Sequence, residues 1–297
     1  MATTRTDDTV DLVDGRVLCY ADYGPADGQP VLWCHGAPGS RLEPLAFADE
    51  AAASGFRIVG VDRPGYGGST PHPGRSIASW VPDAMALAGR LALERFICVG
   101  CSTGGAYALA LAALERDRVE ACVACCALTD MRWPEGRAMM TGPGAMGTLI
   151  AGIWDAPDRA TALERTTEIL GTDGSGLLTQ TPETPFPPAD VAFLTDPAIL
   201  AGYAEAFAAM FSFGVQGFTD DRIADGVGWE SFDVGRVECP TVVLHGAADP
   251  LVPPVQAEYT ANIVPGATLR VLPDLGHLSI STQVVPLLRE MQSPTLS

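Results

Sequence analysis

A serine lies between two glycines where the sequence changes from strand-like to helix-like. Apolar residues 96–99 lead into the motif Gly100-Cys-Ser102-Thr-Gly104, and an Ala- and Leu-rich run follows it. A strand that turns directly into a helix needs glycines where a Cβ atom would clash, and the turn places the central side chain beside the helix N-terminus. Such a nucleophile elbow predicts acyl transfer through the Ser102 hydroxyl. Alone, so short a motif is also typical of an ordinary glycine-rich turn.

A serine hydroxyl becomes a useful nucleophile only when a base takes its proton, so the four histidines are the candidate bases. His277 is the best candidate because it follows the last predicted strand and precedes the last predicted helix, in a loop at a sheet end. His245 ends a strand next to a glycine and is expected to pack under the following loop. His72 falls in a surface loop rich in Pro and Gly, and His35 begins the glycine-containing loop described below.

The imidazole needs a carboxylate that fixes its tautomer and stabilises its charged form. Asp249 follows a predicted strand directly, and the chain order Ser102, Asp249, His277 is the order expected for a nucleophile elbow protein. Asp249 is also consistent with a helix N-cap or an Asp-Pro turn. Asp130, which follows the strand after the elbow, is the rival acid.

Acyl transfer also requires two N–H donors for the developing oxyanion. The backbone N–H of Thr103, directly after the serine, is one candidate. The loop of residues 35–40 supplies the other, because it follows an early strand and contains glycines. Ala37 is the predicted donor of this loop, since Pro38 has no N–H.

Strand and helix signals alternate up to residue 128 and again from residue 241, whereas residues 129–234 have a helical pattern broken by Gly and Pro. Repeated strand–helix units predict a mostly parallel sheet covered by helices on both faces, with a helical insertion. The predicted strands are a hairpin at 10–20 with its turn at Asp14-Gly15, and residues 31–34, 56–61, 96–101, 119–128, 241–245 and 268–272. The predicted helices are residues 45–53, 76–93, 103–115, 255–263 and 282–291, and a Pro-rich connector is expected at 181–188.

Motifs spread along the chain together resemble those of the α/β-hydrolase superfamily, over about residues 10–128 and 235–292. The resemblance implies a sheet of roughly eight strands, with residues 1–128 and 235–297 as the hydrolase core and residues 129–234 as a helical cap, or lid. It also implies that the loop of residues 62–69 is structural. The motifs, in order, are His35-Gly-Ala-Pro-Gly-Ser40, Asp62-Arg-Pro-Gly-Tyr-Gly-Gly-Ser69, Gly100-Cys-Ser-Thr-Gly104, Gly246-Ala-Ala-Asp249 and Gly276-His277.

Composition excludes several other classes of protein. The 297 residues carry a net charge of −18, which disfavours nucleic acid and anionic membranes, and no apolar run is long enough for a membrane span. All cationic side chains are arginines, so no lysine is present for a Schiff base or a phosphate loop. The eight cysteines lie mostly in apolar runs and are expected to be buried free thiols. With no recognisable signal peptide, they favour a reducing cytoplasm, and no metal or cofactor is predicted.

The sequence therefore predicts a serine hydrolase that cleaves a carboxylic ester, lactone or thioester of a small to medium apolar molecule. In the resembled family, Asp at position 102 would indicate epoxide or carbon–halogen cleavage. A C–C bond hydrolase or amidase with the same triad remains an alternative, as does a ligand-binding protein without turnover, and neither monomer nor homodimer is favoured. Large apolar side chains of the insertion are candidates to line the substrate pocket: Trp133, Met139, Met140, Phe207, Met210 and Phe211.

Overall fold

The computed structural model describes residues 4–179 and 184–292, except the side chain of Tyr203, and its centre is one large sheet. The short strand β7 (Ser212–Val215) is not part of this sheet as described. The strands of the sheet are β1 (Arg5–Asp11), β2 (Val17–Tyr23), β3 (Gln29–Cys34), β4 (Phe56–Val61), β5 (Phe96–Cys101), β6 (Val119–Cys125), β8 (Thr241–Gly246) and β9 (Thr268–Leu272).

The eight strands follow the order β1-β2-β4-β3-β5-β6-β8-β9. β1 pairs with β2 and β2 with β4 in antiparallel fashion, and every other neighbouring pair is parallel. The predicted mostly parallel α/β sheet is confirmed. The predicted hairpin is present as well: Leu12 N–H donates to Arg16 O at 2.8 Å, and Gly15 takes a φ of +83° in its turn.

Helices cover the sheet and fill a long segment between β6 and β8. We call residues 129–234 the helical insert; their division from the rest as a cap domain stays a prediction. Of the predicted connector at 181–188, residues 181–183 lie outside the described part of the chain. The helices are α1 (Ala48–Ala53), α2 (Trp80–Arg90), α3 (Gly104–Leu114), α4 (Pro134–Met140), α5 (Ala145–Trp154), α6 (Arg159–Leu170), α7 (Pro188–Leu194), α8 (Pro197–Met210), α9 (Gln216–Gly226), α10 (Val255–Ile263) and α11 (Val284–Gln292), with 3-10 turns at Glu43–Phe47, Ser175–Thr179, Val234–Arg236 and Ser279–Gln283.

Several element boundaries differ from the prediction for local reasons. The strand predicted at 119–128 ends at Cys125, because Cys126 has a φ of +42° that an extended strand does not accommodate. The helix predicted at 76–93 begins at Trp80, which places Pro82 in the first turn, where its missing N–H costs nothing. The first residues of the helix predicted at 45–53 form a 3-10 turn.

The two faces of the sheet bury separate apolar layers. Leu32 of β3 packs in a cluster with Leu109 of α3, on the face covered by α2 and α3. Its neighbour Val31 belongs to a second cluster with Leu288 of α11, on the face covered by α1 and α11. Successive strand residues point to opposite faces, so a strand buried on both sides has the continuous apolar sequence seen here. Within the described ranges, no helix is long and apolar enough to cross a membrane.

A buried carboxylate joins the helical insert to the core. Asp221 of α9 lies 2.7 Å from both Arg63 Nη2 and Arg75 Nη2, and its oxygens accept the hydroxyl protons of Tyr66 and Tyr107 at 2.8 Å each. All five side chains are buried. Burial opposes ionisation of Asp221, but the two guanidinium groups outweigh it and hold the pKa of this carboxyl well below its usual range.

We expect Asp221→Asn to lower the free energy of unfolding by about 3–5 kcal/mol, because it leaves buried guanidinium charge without its partner. Urea denaturation at neutral pH measures the loss. The matched control is Asp158→Asn at the exposed N-cap of α6, where an amide caps nearly as well as a carboxylate. Because the pKa of Asp221 is lowered by folding, its contribution is present at neutral pH and declines only below the pKa of an unfolded aspartate. Equal unfolding free energies for wild type and Asp221→Asn would contradict this.

Candidate active site

Ser102 occupies a tight turn between β5 and α3. Its φ is +52°, in the left-handed region that non-glycine residues rarely adopt. Its N–H donates to Cys125 O at 2.9 Å, and its carbonyl accepts from Gly105 N at 3.0 Å. A Cβ atom on Gly104 would overlap the carbonyl oxygen of Cys34, so this glycine permits α3 to approach the end of β3. This is the backbone geometry of a nucleophile elbow, in which surrounding structure maintains local strain.

Four neighbouring parallel strands, β5, β6, β8 and β9, end at the same edge of the sheet. Ser102 follows β5, Cys126 follows β6, Asp249 follows β8 and His277 follows β9. The carboxyl ends of parallel strands are where α/β folds hold their ligands. The topology thus gathers residues that are far apart in sequence.

His277 and Asp249 are hydrogen-bonded to each other. His277 Nδ1 lies 2.8 Å from Asp249 Oδ2. The other carboxylate oxygen accepts the N–H groups of Leu251 and Val252 at 2.8 and 2.9 Å, which fixes the carboxylate in the loop after β8. An Nδ1 proton directed at a carboxylate leaves Nε2 as the nitrogen able to accept a proton.

The other two acid–base candidates have different settings. His245 Nε2 lies 2.9 Å from Val252 O and 3.2 Å from Asp249 Oδ2, so it packs beneath the loop that carries Asp249. Asp130 instead forms an ion pair of 2.5 Å with Arg132. The structure therefore brings His277 to Asp249, and Asp130 is engaged elsewhere.

The loop of residues 35–40 lies against the elbow, since a Cβ atom on Gly36 would be 3.5 Å from Ser102 Cβ. The N–H of Gly36 already donates to Glu43 Oε2 at 2.8 Å. With Pro38 lacking an N–H, Ala37 remains the predicted donor of this loop. Thr103, the second predicted donor, is the residue before the first turn of α3.

His35 anchors this loop as a neutral group. Its Nε2 accepts the N–H of Arg63 at 3.1 Å, so Nδ1 carries the proton and donates to Gly36 O at 2.6 Å. Burial and the positive charge of Arg63 lower the pKa of His35 well below its ordinary value. Because both of its ring nitrogens are hydrogen-bonded within the protein, this imidazole stabilises the loop and is not available as a catalytic base.

Four polar residues near these groups were not found by the sequence analysis. Glu43 accepts the N–H of Gly36, and burial raises its pKa. On the helical insert, Arg222 donates to Thr103 Oγ1, and Asp190 accepts from the loop that carries His277. The fourth is Cys126, which the sequence analysis treated only as one of several buried thiols.

Cys126 and His277 influence each other's protonation. Hydrogen bonding from the Cys125 thiol and the charge of His277 lower the pKa of Cys126, although burial opposes this. Burial likewise favours neutral His277, but the Cys126 thiol and the carboxylates of Asp249 and Asp190 outweigh it and raise the pKa of His277 above its ordinary value. The imidazole is therefore held in an electronegative environment.

The residues predicted to line the substrate pocket lie in different parts of the structure. Phe207, Met210 and Phe211 pack in an apolar cluster of the insert that also includes Ala37. Met140 packs against a small cluster of Leu128, Met131 and Val252, the last of which belongs to the Asp249 loop. The other two lie apart from both clusters: Trp133 stacks on Tyr259 of α10 with ring centroids 4.3 Å apart, and Met139 is 40% exposed.

Comparisons with known proteins agree with this fold. The sequence profile described as "Alpha/beta hydrolase family" matches residues 31–286, so the chain belongs to the alpha/beta hydrolase family. It is 27% identical over 275 residues to the 2-hydroxymuconate semialdehyde hydrolase of Pseudomonas putida, covering 89% of this chain and 87% of that protein. It is 28% identical to a non-heme chloroperoxidase of Streptomyces lividans, covering 92% and 94%. An esterase structure from Exiguobacterium antarcticum aligns with a TM-score of 0.68 at 21% identity, covering 96% and 99%.

We expect the imidazole of His277 to titrate above pH 6.5, and Cys126→Ser to lower its midpoint, because a serine hydroxyl ionises far less readily than a thiol and so stabilises the imidazolium less. Histidine NMR titration, with assignment by His277→Gln, measures both values. The control is Cys239→Ser, which changes a half-buried thiol before β8, away from the strand ends described above. If Cys126→Ser and wild type share one midpoint, the thiol does not act on His277.

Proposed function

We propose that this hydrolase family member cleaves carboxylic esters, with lactones and thioesters as related substrates, through an acyl-enzyme on Ser102. The observation that carries the proposal is the 2.8 Å hydrogen bond between His277 and Asp249, at the sheet edge where the strained Ser102 turn also lies. A nucleophile, a base and an orienting acid after strands that end at one edge of the sheet suit acyl transfer.

In the proposed mechanism, Ser102 Oγ attacks the carbonyl carbon while His277 Nε2 takes the hydroxyl proton. The Asp249 carboxylate stabilises the resulting imidazolium. The N–H groups of Ala37 and Thr103 donate to the oxyanion of the tetrahedral intermediate. His277 then protonates the departing alkoxide, which leaves an acyl-enzyme. In the second half, His277 accepts a proton from water, the hydroxide adds to the acyl carbon, and Ser102 Oγ leaves with that proton as the acid is released.

The preference for an apolar substrate is supported by the surroundings of Ala37. Phe207, Met210 and Phe211 pack in one apolar cluster with the residue proposed to bind the oxyanion. An acyl or alcohol group that occupies this side of the site would contact hydrocarbon rather than charge. We propose that the helical insert, residues 129–234, acts as a cap that supplies this apolar surface to the core of residues 1–128 and 235–297.

A C–C bond hydrolase is the second candidate function. The observation that favours it is the alignment, over 89% of this chain, with a protein named as a 2-hydroxymuconate semialdehyde hydrolase. Both reactions use a serine, a histidine and an aspartate, so the two candidates are separated by substrate. Turnover of p-nitrophenyl esters of increasing acyl length supports the ester proposal. Cleavage of a vinylogous diketone with negligible ester turnover supports the alternative.

We expect Ser102→Ala to lower kcat for a p-nitrophenyl ester by about a thousandfold or more, because the nucleophile is lost while the fold is kept. Intact-mass analysis after a fluorophosphonate should show one adduct on wild type and none on Ser102→Ala. Ser54→Ala is the matched control, since the hydroxyl of that serine donates to Glu50 O in the helix it follows, and the variant should keep both adduct and turnover. A folded Ser102→Ala protein with wild-type activity would overturn the mechanism.

A further inference from the structure

A buried carboxylate of the helical insert contacts the loop that carries His277. Asp190 lies in the first turn of α7 and is 0% exposed. Its Oδ1 accepts both the N–H and the hydroxyl of Ser279, at 2.8 and 2.5 Å. Ser279 is two residues after His277, so the insert holds the chain immediately beyond the imidazole.

The same contact extends to the residue before His277. Ser279 Oγ accepts the N–H of Gly276 at 2.9 Å, and a Cβ atom on Gly276 would overlap Asp190 Oδ2. Asp190 therefore packs directly against the peptide that precedes His277, and only a glycine allows this approach. The loop that carries the imidazole is held on both sides of His277 by one carboxylate and one hydroxyl.

The hydrogen bonds of Asp190 do not require its charge. Both donors from Ser279 go to Oδ1, which an asparagine could also provide, while Oδ2 has no hydrogen-bond partner among the described residues. A buried carboxylate with a free oxygen is costly unless its charge is used. The negative charge of Asp190 can attract the imidazolium of His277. Asp190 on the insert is one of the groups that raise the pKa of this histidine.

Helix α7, which carries Asp190, is anchored to the core by aromatic packing. Phe193 packs against the core layer that includes α1 and α11, and its ring stacks on Phe47 with centroids 6.2 Å apart. Two carboxylates and a thiol then act on His277 from three elements: Asp249 after β8, Asp190 on α7 and Cys126 after β6, with His245 behind Asp249.

We propose that Asp190 is a positioning residue for His277, through which the helical insert both fixes the loop of residues 276–279 and stabilises the imidazolium formed during turnover. The proposal rests on the proposed function, because it assigns Asp190 to the histidine that takes the serine proton. It makes docking of the insert a condition for full activity.

The test is Asp190→Asn, which keeps the shape and the Oδ1 acceptor but removes the charge. We expect the NMR midpoint of His277, and the acid limb of kcat/KM for a p-nitrophenyl ester, to move to lower pH by about one unit. We also expect kcat at the pH plateau to fall by about tenfold, since the imidazolium loses an attractive charge. The matched control is Asp196→Asn, the exposed N-cap of α8, which should leave the midpoint and kcat unchanged.

A second variant separates the charge of Asp190 from its hold on the loop. Ser279→Ala removes the hydroxyl that joins Asp190 to Gly276 but leaves the carboxylate in place. It should lower kcat without moving the midpoint of His277, and it serves as the test if Asp190→Asn does not fold. An unmoved midpoint in folded Asp190→Asn, or an unchanged kcat in Ser279→Ala, would overturn the proposal while fluorophosphonate labelling of Ser102 still occurs. Absence of labelling on wild type would instead overturn the proposed function.

Discussion

The Asp221 carboxylate is the contact on which the arrangement of the site depends. It neutralises Arg63, and the same guanidinium donates to the carbonyl oxygens of His35 and Gly36, at 2.8 Å for Gly36. It also accepts the hydroxyl of Tyr107, which belongs to the helix that follows the elbow. One side chain of the helical insert thus fixes both the loop that contains Ala37 and the helix that follows Thr103, the two residues whose N–H groups are candidates for the oxyanion. Because each partner is buried, none of these contacts can be exchanged for water without cost.

The sheet and the insert contribute different kinds of control to the site. Parallel strands bring the serine, the aspartate and the histidine to one edge through backbone geometry alone. The insert adds charges from outside the sheet: Asp190 reaches the His277 loop, and Arg222 donates to Thr103 while paired with Asp225 at 2.6 Å. Substitutions in the insert can therefore change protonation and orientation at the strand ends without touching the sheet.

Features encoded by neighbouring residues were predictable from the sequence, and features encoded by distant contacts were not. The elbow around Ser102 and the strand ends before Asp249 follow from glycines and apolar runs, so the sheet and the His277–Asp249 pairing could be anticipated. Asp190 lies 89 residues from its partner Ser279, in a segment without a motif, so nothing local indicated it. Composition also identifies large apolar residues but not the direction in which each side chain points. Trp133, for example, is a predicted pocket residue, yet it stacks on Tyr259 of α10. The roles of the predicted site residues in turnover remain predictions.

The positions of the cysteines allow the protein to be attached to a surface in a single orientation. All eight are free, and seven are buried, which leaves Cys239 as the one partly exposed thiol. It precedes β8 and so lies at the end of that strand opposite to Asp249. Burial raises the pKa of its thiol, so coupling to a maleimide calls for mildly alkaline conditions. The chain has no lysine side chain that would compete for the reagent. A dye or a solid support attached to Cys239 therefore lies at the opposite end of β8 from Asp249, and every immobilised molecule presents its candidate active site away from the support.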